Sequence, residues 1–275
     1  MRERIQKILA AAGVDSRRNI EQMVLDGRVS VNGKVVRRLP VLVDLDVDAV
    51  EVDGEAFRLP KRRHARRSDT DVYEGRVYLV MNKPRGYVTT AVPQGVQKTV
   101  IDLLPPDFPV RVFPVGRLDA ESKGLLILTN DGDLTNQLTH PRYGVAKTYR
   151  AKVDGRFGGE ASEQLQQGQW LADPVRGGYR TKGARLRVLR RTREASTLEI
   201  ELKEGRNRQI RRVLAKLGHK VRDLVRIRMG PLELGKMKLG EVRVLKPAEV
   251  TALRNAVARQ ATVKPKPSAG PKKPK

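Results

Sequence analysis

FPVGRLDAESKGLLILTNDGDL, residues 113–134, carries Asp119 on a short connection between two apolar runs. The run before it, FPVG, reads as a short buried strand. GLLILT after it, bounded by Gly124 and the Asn130-Asp131-Gly132 turn, reads as a fully buried one. A connection held by sheet at both ends is where a rigid scaffold can fix a reactive side chain, and Arg117, two residues earlier, keeps a positive charge nearby. On residue type alone, an aspartate in this place is more often a turn residue that hydrogen-bonds its own backbone.

Composition narrows the field. At 275 residues the chain has room for two domains, the larger with a substantial core. Its 56 Lys and Arg against 31 Asp and Glu give a net charge of +25, spread along the whole length. Such a charge calls for a polyanionic partner with a large footprint, which favours nucleic acid. No apolar run approaches membrane-spanning length and residues 1–13 lack the apolar segment of a signal peptide, so a cytoplasmic protein without a membrane partner is expected. Cysteine is absent, which excludes uracil methyltransferases that add a thiolate to the base and zinc deaminases built on Cys/His ligands. His64, His140 and His219 are scattered without ligand spacing, and the Asp131-Gly132-Asp133 hint of a calcium loop lacks the later ligands, so no metal is expected. Neither G-x-x-x-x-G-K nor a strand followed by G-x-G-x-x-G occurs, so no cofactor is expected either.

In chain order, Ile5, Ile8, Leu9 and Ala12 follow helical spacing, and Ile20, Met23 and Val24 repeat it in a second helix that Gly27 can close. Arg28–Val31 and Lys34–Val36 flank Asn32-Gly33, a strong hairpin signal, and Asp53-Gly54 marks a second turn. RLPKRRHARRSDTD, residues 58–71, is almost devoid of apolar residues and reads as a basic linker. VYLVMNKP at 77–84 reads as a strand ended by a proline turn, with Gly86–Thr90 as its partner strand. Thr99–Leu104 reads as a short helix, Asp131–Thr139 as another, and VAKTYRAKV around Tyr149 as a strand. Thr181–Arg191 and Ser196–Leu202 form a strand pair that runs into EGRNRQIRRVLAKLG. There Ile210, Val213, Leu214 and Leu217 make an apolar face, and Arg208, Arg211 and Arg212 a basic stripe opposite, suited to phosphate. A strand over 220–230 and a helix over Pro247–Arg259 close the folded part. The Pro/Lys-rich end cannot bury enough surface to fold and reads as a disordered basic tail.

VGRLDAESKGLLILTNDGDL closely resembles the catalytic segment of the RNA pseudouridine synthases, in the branch that holds the A-type enzymes for small-subunit and the B-type enzymes for large-subunit ribosomal RNA. The resemblance implies an α+β fold whose catalytic domain is built on a mixed, mainly antiparallel sheet with flanking helices. It makes Asp119 the nucleophile. Tyr149, in the K-x-Y context after the second strand pair, would lie against the target base and help move a proton. Arg211, after Gln209 and Ile210, would pair with Asp119. Where many relatives have His before the Gln, this chain has Arg208, and the family supplies no role for it. The helix-helix-hairpin with SRR at 16–18 and GRVSVNGKVV at 27–36 resembles the RNA-binding domain named after ribosomal protein S-four. That makes Arg17, Arg18, Arg28 and Lys34 candidate RNA contacts, beside Arg117, Arg208 and Arg212. The expected organisation is an RNA-binding domain at 1–60, a linker at 61–75, a catalytic domain at 76–259 and a tail at 260–275. The expected partner is ribosomal RNA, most of all large-subunit RNA in view of EGRNR and RIRMG, bound by a monomer. A synthase for small-subunit RNA, and a noncatalytic RNA-binding or ribosome-assembly protein, stay open beside it.

Overall fold

The computed structural model describes residues 2–44, 46–57, 75–91, 96–173 and 177–262. Most of the expected linker and the expected tail from 263 onward lie outside the described residues. The described chain divides into two compact units, one within Met1–Arg76 together with Asn130–Gly132, the other within Val77–Thr129 and Asp133–Lys275.

In the first unit, β1 (Arg2–Arg4) leads into α1 (Ile5–Ala11) and α2 (Arg17–Leu25). Ser16 caps α2 by accepting the Asn19 amide at 3.1 Å, satisfying a donor that a helix start leaves over. Then come β2 (Val29–Val31), β3 (Lys34–Val35), β4 (Leu42–Asp44), β5 (Val50–Val52) and β6 (Glu55–Phe57). β3-β2-β5-β6 form an antiparallel sheet, and β1 pairs with β4. Asn32 and Gly33 both take positive φ, 51° and 74°, as the tight β2–β3 turn demands. The expected helical faces, Ile5, Ile8 and Leu9 against Ile20, Met23 and Val24, close with Val29, Val43 and Val50 into one core.

The second unit is organised by a nine-stranded sheet. Its elements in chain order are β7 (Tyr78–Lys83), β8 (Phe113–Pro114), β9 (Lys123–Thr129), α3 (Gly132–Thr139), β10 (Lys147–Asp154), α4 (Gly159–Gln167), β11 (Trp170–Leu171), β12 (Tyr179–Arg180), β13 (Arg185–Arg191) and β14 (Ala195–Leu202). After these come α5 (Gln209–Lys216), β15 (Val221–Met229), β16 (Leu232–Glu233), β17 (Val242–Val244) and α6 (Pro247–Thr262). The strand order is β13-β14-β10-β15-β9-β7-β17, with β16 on β15 and β8 on β9, while β11 and β12 form a separate hairpin. Every pairing is antiparallel except β9 with β15. This is the mixed, mainly antiparallel α+β architecture that the resemblance implied.

Within that sheet β9 lies between β15 and β7. Leu125, Leu126, Ile127 and Leu128 are fully buried, each contributing roughly 1.5–3 kcal/mol of hydrophobic stabilisation. Gly124 makes the parallel junction with β15 feasible. A Cβ built there would run into the Arg226 carbonyl oxygen, and φ is +106°. No other residue type tolerates that approach and that conformation together. Gly124 thereby fixes where β9 begins, just after Asp119.

Two sequence expectations need correction. Gly86–Thr90 is not a strand beside β7, whose neighbours are β9 and β17; it makes only an isolated bridge from Val88 to Thr99. Its polar groups are used elsewhere, the Gly86 amide on the Ala120 carbonyl and the Thr89 hydroxyl on Leu118. The strand expected from Thr181 starts at Arg185, because Thr181 closes the β11–β12 hairpin through two hydrogen bonds with Gln169. Elsewhere the expected short helix is the 3-10 turn Val100–Leu103, closed by a Thr99–Asp102 capping box.

Candidate active site

Between β8 and β9, residues 117–122 form a short loop whose backbone is held at nearly every step. Thr89, buried on the adjacent segment, donates its hydroxyl to the Leu118 carbonyl at 2.7 Å and accepts the Leu118 amide at 3.2 Å. The Gly86 amide donates to the Ala120 carbonyl at 2.8 Å, and the Ser122 amide to that of Asp119 at 3.0 Å.

The strongest anchor is Lys83, at the end of β7 and fully buried. Its ammonium donates to the carbonyls of Pro84 (3.0 Å), Asp119 (3.2 Å), Ala120 (3.4 Å) and Ser122 (2.9 Å). Burial pushes its pKa down to about 8, against the attraction of Asp119 and with the repulsion of Arg226. A point charge on a flexible stem can gather carbonyls that converge from four residues, which a planar guanidinium cannot. Sequence reasoning missed Lys83. The only signal was a lysine closing an apolar strand run.

The loop forms one wall of a cleft of about 390 Å³, within the range of small-ligand sites. Gly116, Arg117, Leu118, Asp119 and Ser122 line it from this side. Tyr149, on β10, lies across the cleft and packs against two apolar clusters of the unit. Glu204–Arg211, the β14–α5 connection and the start of α5, complete it. Three candidate catalytic residues far apart in sequence, Asp119, Tyr149 and Arg211, thus line one cleft, joined there by Arg117 and Arg208.

The arginine geometry differs from the expected pairing. Arg208 comes closest to Asp119, Nη1 to Oδ2 at 3.9 Å, and also reaches Glu121 at 3.0 Å. Arg211 turns to Glu121 Oε2 (3.7 Å), the Glu121 carbonyl (3.4 Å), Ser122 Oγ (3.4 Å) and the Val221 carbonyl (3.3 Å). Desolvation lowers the Arg211 pKa, while Glu121 and, more weakly, Asp119 oppose that. Arg208 in turn lowers the pKa of Glu121. Arg208 is presented by its own backbone: as the residue preceding α5 it takes φ +47°, an unusual conformation that directs it away from the helical stripe assumed from sequence.

The β14–α5 connection has its own scaffold, also unseen in sequence. Buried Glu204 accepts the Lys182 amide at 2.8 Å and the Gln209 side-chain amide at 2.6 Å, and the Gln209 oxygen accepts the Arg206 amide at 3.1 Å. E-G-R-N-R-Q is thereby a closed brace that fixes where Arg206 and Arg208 leave the backbone.

Residues 77–216 match the model of the RNA pseudouridylate synthase family and residues 3–45 that of the S4 domain. The chain belongs to the RNA pseudouridine synthase family. It is 42% identical over 259 residues to an uncharacterised RNA pseudouridine synthase of Aquifex aeolicus (strain VF5), covering 94% of this chain and 96% of that one. It is 39% identical over 252 residues to the ribosomal large subunit pseudouridine synthase B of Bacillus subtilis (strain 168), covering 92% and 96%. A crystal structure of a pseudouridylate synthase superposes with a TM-score of 0.62 at 24% identity, over 91% of this chain and 99% of that one, and shows the shared fold.

This synthase is therefore an isomerase acting on RNA. Not all of its expected RNA contacts are free side chains. Arg212 donates to the Ala172 carbonyl and lies 6.0 Å over the Tyr179 ring, so it braces the β11–β12 hairpin instead of extending the basic stripe. Arg28, on the first unit, is held by Asp53 in a two-pronged pair at 2.7 and 2.6 Å. Arg17, Arg18 and Lys34 are exposed there.

Proposed function

We propose that this synthase isomerises one specific uridine of large-subunit ribosomal RNA, with Asp119 as the nucleophile. The observation that carries the reading is the placing of Asp119: Lys83 holds its carbonyl, Thr89 and Gly86 hold its neighbours Leu118 and Ala120, and it lines a cleft that Tyr149 also lines. A nucleophile held in this way loses little freedom when substrate arrives. The choice of large-subunit RNA rests on the Bacillus subtilis relative and on the EGRNR and RIRMG segments.

In the reaction the bond from uracil N1 to ribose C1′ breaks, C5 joins C1′, the proton on C5 leaves and N1 gains one. No electrons or groups are exchanged with a second reactant. The target nucleotide leaves its stack to enter the cleft. The Asp119 carboxylate adds to the sugar or to the base and is released when the new bond is complete, so the enzyme returns unchanged. Arg208 stands nearest that carboxylate and serves mainly to hold the RNA, Arg211 fixes the loop on which Asp119 sits, and Tyr149 lies against the base and carries a proton. Leu118, Leu202 and Leu224 keep water from the reacting bond. The first unit and the flanking basic residues hold the RNA, and the enzyme works as a cytoplasmic monomer.

Pseudouridine mapping of large-subunit RNA, before and after incubation of an unmodified transcript with the purified enzyme, tests this. One new pseudouridine is the expected result. Modification confined to small-subunit RNA would replace the substrate, and none in either would overturn the reading.

A further inference from the structure

Beside the cleft, the β11–β12 hairpin carries a feature that the isomerisation does not use. Trp170 pairs across the hairpin with Arg180, and Leu171 with Tyr179. Strand alternation sends the two pairs to opposite faces. Leu171 is buried and Tyr179 packs against the core, whereas Trp170 is 57% exposed and Arg180 is exposed beside it. Among the described residues Trp170 is the only aromatic side chain in the set of exposed large apolar ones. Leaving an indole in water forgoes one of the largest burial gains a side chain can make.

The indole is also held in place. A Cβ built on Gly178 would come within 2.9 Å of Nε1 and 3.0 Å of Cε2 and Cζ2, so the ring lies across bare backbone, where any side chain would lift it. Lys216 Nζ donates to the Trp170 carbonyl at 2.8 Å and Arg212 to that of Ala172, tying the strand to α5. The hairpin is continuous with the cleft, because the Arg206 guanidinium that lines the cleft sits 4.0 Å over the Tyr179 ring. Four cations surround the hairpin: Arg180 across from Trp170, Lys216 at its carbonyl, and Arg206, paired with Glu204, and Arg212 on the Tyr179 side.

We propose that Trp170 and Arg180 form a stacking platform for a single-stranded nucleobase that neighbours the target uridine. A fixed aromatic plane among cations is how proteins grip unpaired nucleotides, the plane taking a base and the charges its phosphates. A uridine turned into the cleft leaves its neighbours unstacked, and the hairpin replaces the stacking they lose. The platform rests on the RNA-modifying reading above, and it deepens that reading by placing a substrate contact outside the cleft.

Trp170 is the only tryptophan of the chain, so the unaltered enzyme reports on its own platform. Titration of the full-length protein with an unpaired large-subunit RNA fragment containing the modified uridine should quench the indole emission to saturation. Trp170→Ala should weaken binding and raise KM roughly 5- to 100-fold, the worth of one base–aromatic stack, with the maximal rate changed less than about threefold. Trp170→Phe should recover most of the affinity. Arg180→Ala should lower the slope of log affinity against log salt by roughly 0.7. RNA that is bound and isomerised with the emission unchanged would overturn the platform and leave a protein as the occupant of this face; so would a Trp170→Ala enzyme of full affinity. RNA that quenches Trp170 but is never isomerised would support the platform and overturn the proposed function instead.

Discussion

Two arginines stand near Asp119, and their environments separate their contributions. Arg208 is 41% exposed and its 3.9 Å approach to Asp119 is long; open pairs of this kind are worth about 0–1 kcal/mol. Arg211 is only 12% exposed and joins Glu121, Ser122 and Val221 around the loop. Arg211→Ala is therefore expected to lower kcat by about 100-fold with the fold retained, since the apolar face of Ile210, Val213 and Leu214 is untouched. Arg208→Ala should lower kcat by about fivefold or less and act mainly on RNA affinity. Parallel kcat and KM measurements with circular dichroism decide between them. The reverse order would make Arg208 the functional partner of Asp119.

The β7 strand and the loop it anchors act as one device. Lys83→Met removes the donor shared by the carbonyls of Pro84, Asp119, Ala120 and Ser122, of which Asp119 and Ala120 keep the amides of Ser122 and Gly86. A cost of about 2–4 kcal/mol is expected from loss of that shared donor, read as a lower denaturation midpoint together with a slower reaction; unchanged stability would show that the cluster is not an anchor. On β10 the contribution of Lys147 depends on pH. Burial, with Arg226 beside it, pushes the Lys147 pKa down to about 8, below the free value of about 10.4. Between those values the unfolded chain holds a proton that the folded chain has lost, so this group's contribution to stability rises with pH across the window. Lys147→Met should consequently be more stable than the parent by about 1–3 kcal/mol at pH 7 and lose that advantage by pH 10. Melting curves at both values test it, and an advantage independent of pH would contradict the assignment. The strands β10, β14 and β15 and the helices α1, α2 and α5 were legible from the sequence because their apolar residues repeat at a clear period, and β9 because an unbroken apolar run is bounded by turn signals. The hairpin of β11 and β12 was not, since two-residue strands carry no period, and the segment from Gly86 to Thr90 misled because its place after a proline turn does not reveal that its donors serve a neighbouring loop.

For the whole molecule, the two units have separate apolar cores, and the cleft is lined entirely from the second. Removing residues 1–70 is expected to leave the maximal rate at saturating RNA nearly intact. Each lost phosphate contact should flatten the slope of log affinity against log salt by roughly 0.7 to 0.9, so the loss appears as weak binding at physiological salt. Single-turnover rates across salt concentrations check this, and a rate that saturating RNA cannot restore would show that the first unit shapes the cleft. At this scale the sequence was legible through charge and motif: the basic balance pointed to RNA, and RLD, KTY and RQIR each led to a residue on the one cleft. Which arginine stands nearest Asp119 was not legible, because a single left-handed residue at 208 redirects a side chain that helical spacing had placed elsewhere.

The proposed role of the Asp119 carboxylate in the isomerisation stands or falls with Asp119→Asn. The substitution keeps the size of the side chain and removes its charge, while RNA affinity is spread over many Lys and Arg. Release of tritium from uracil C5 in a large-subunit RNA fragment, measured beside filter binding of the same RNA, should show no detectable turnover with affinity within a few-fold of the parent. Turnover at even about one hundredth of the parent rate would be far above what loss of a nucleophile allows, and would contradict that role.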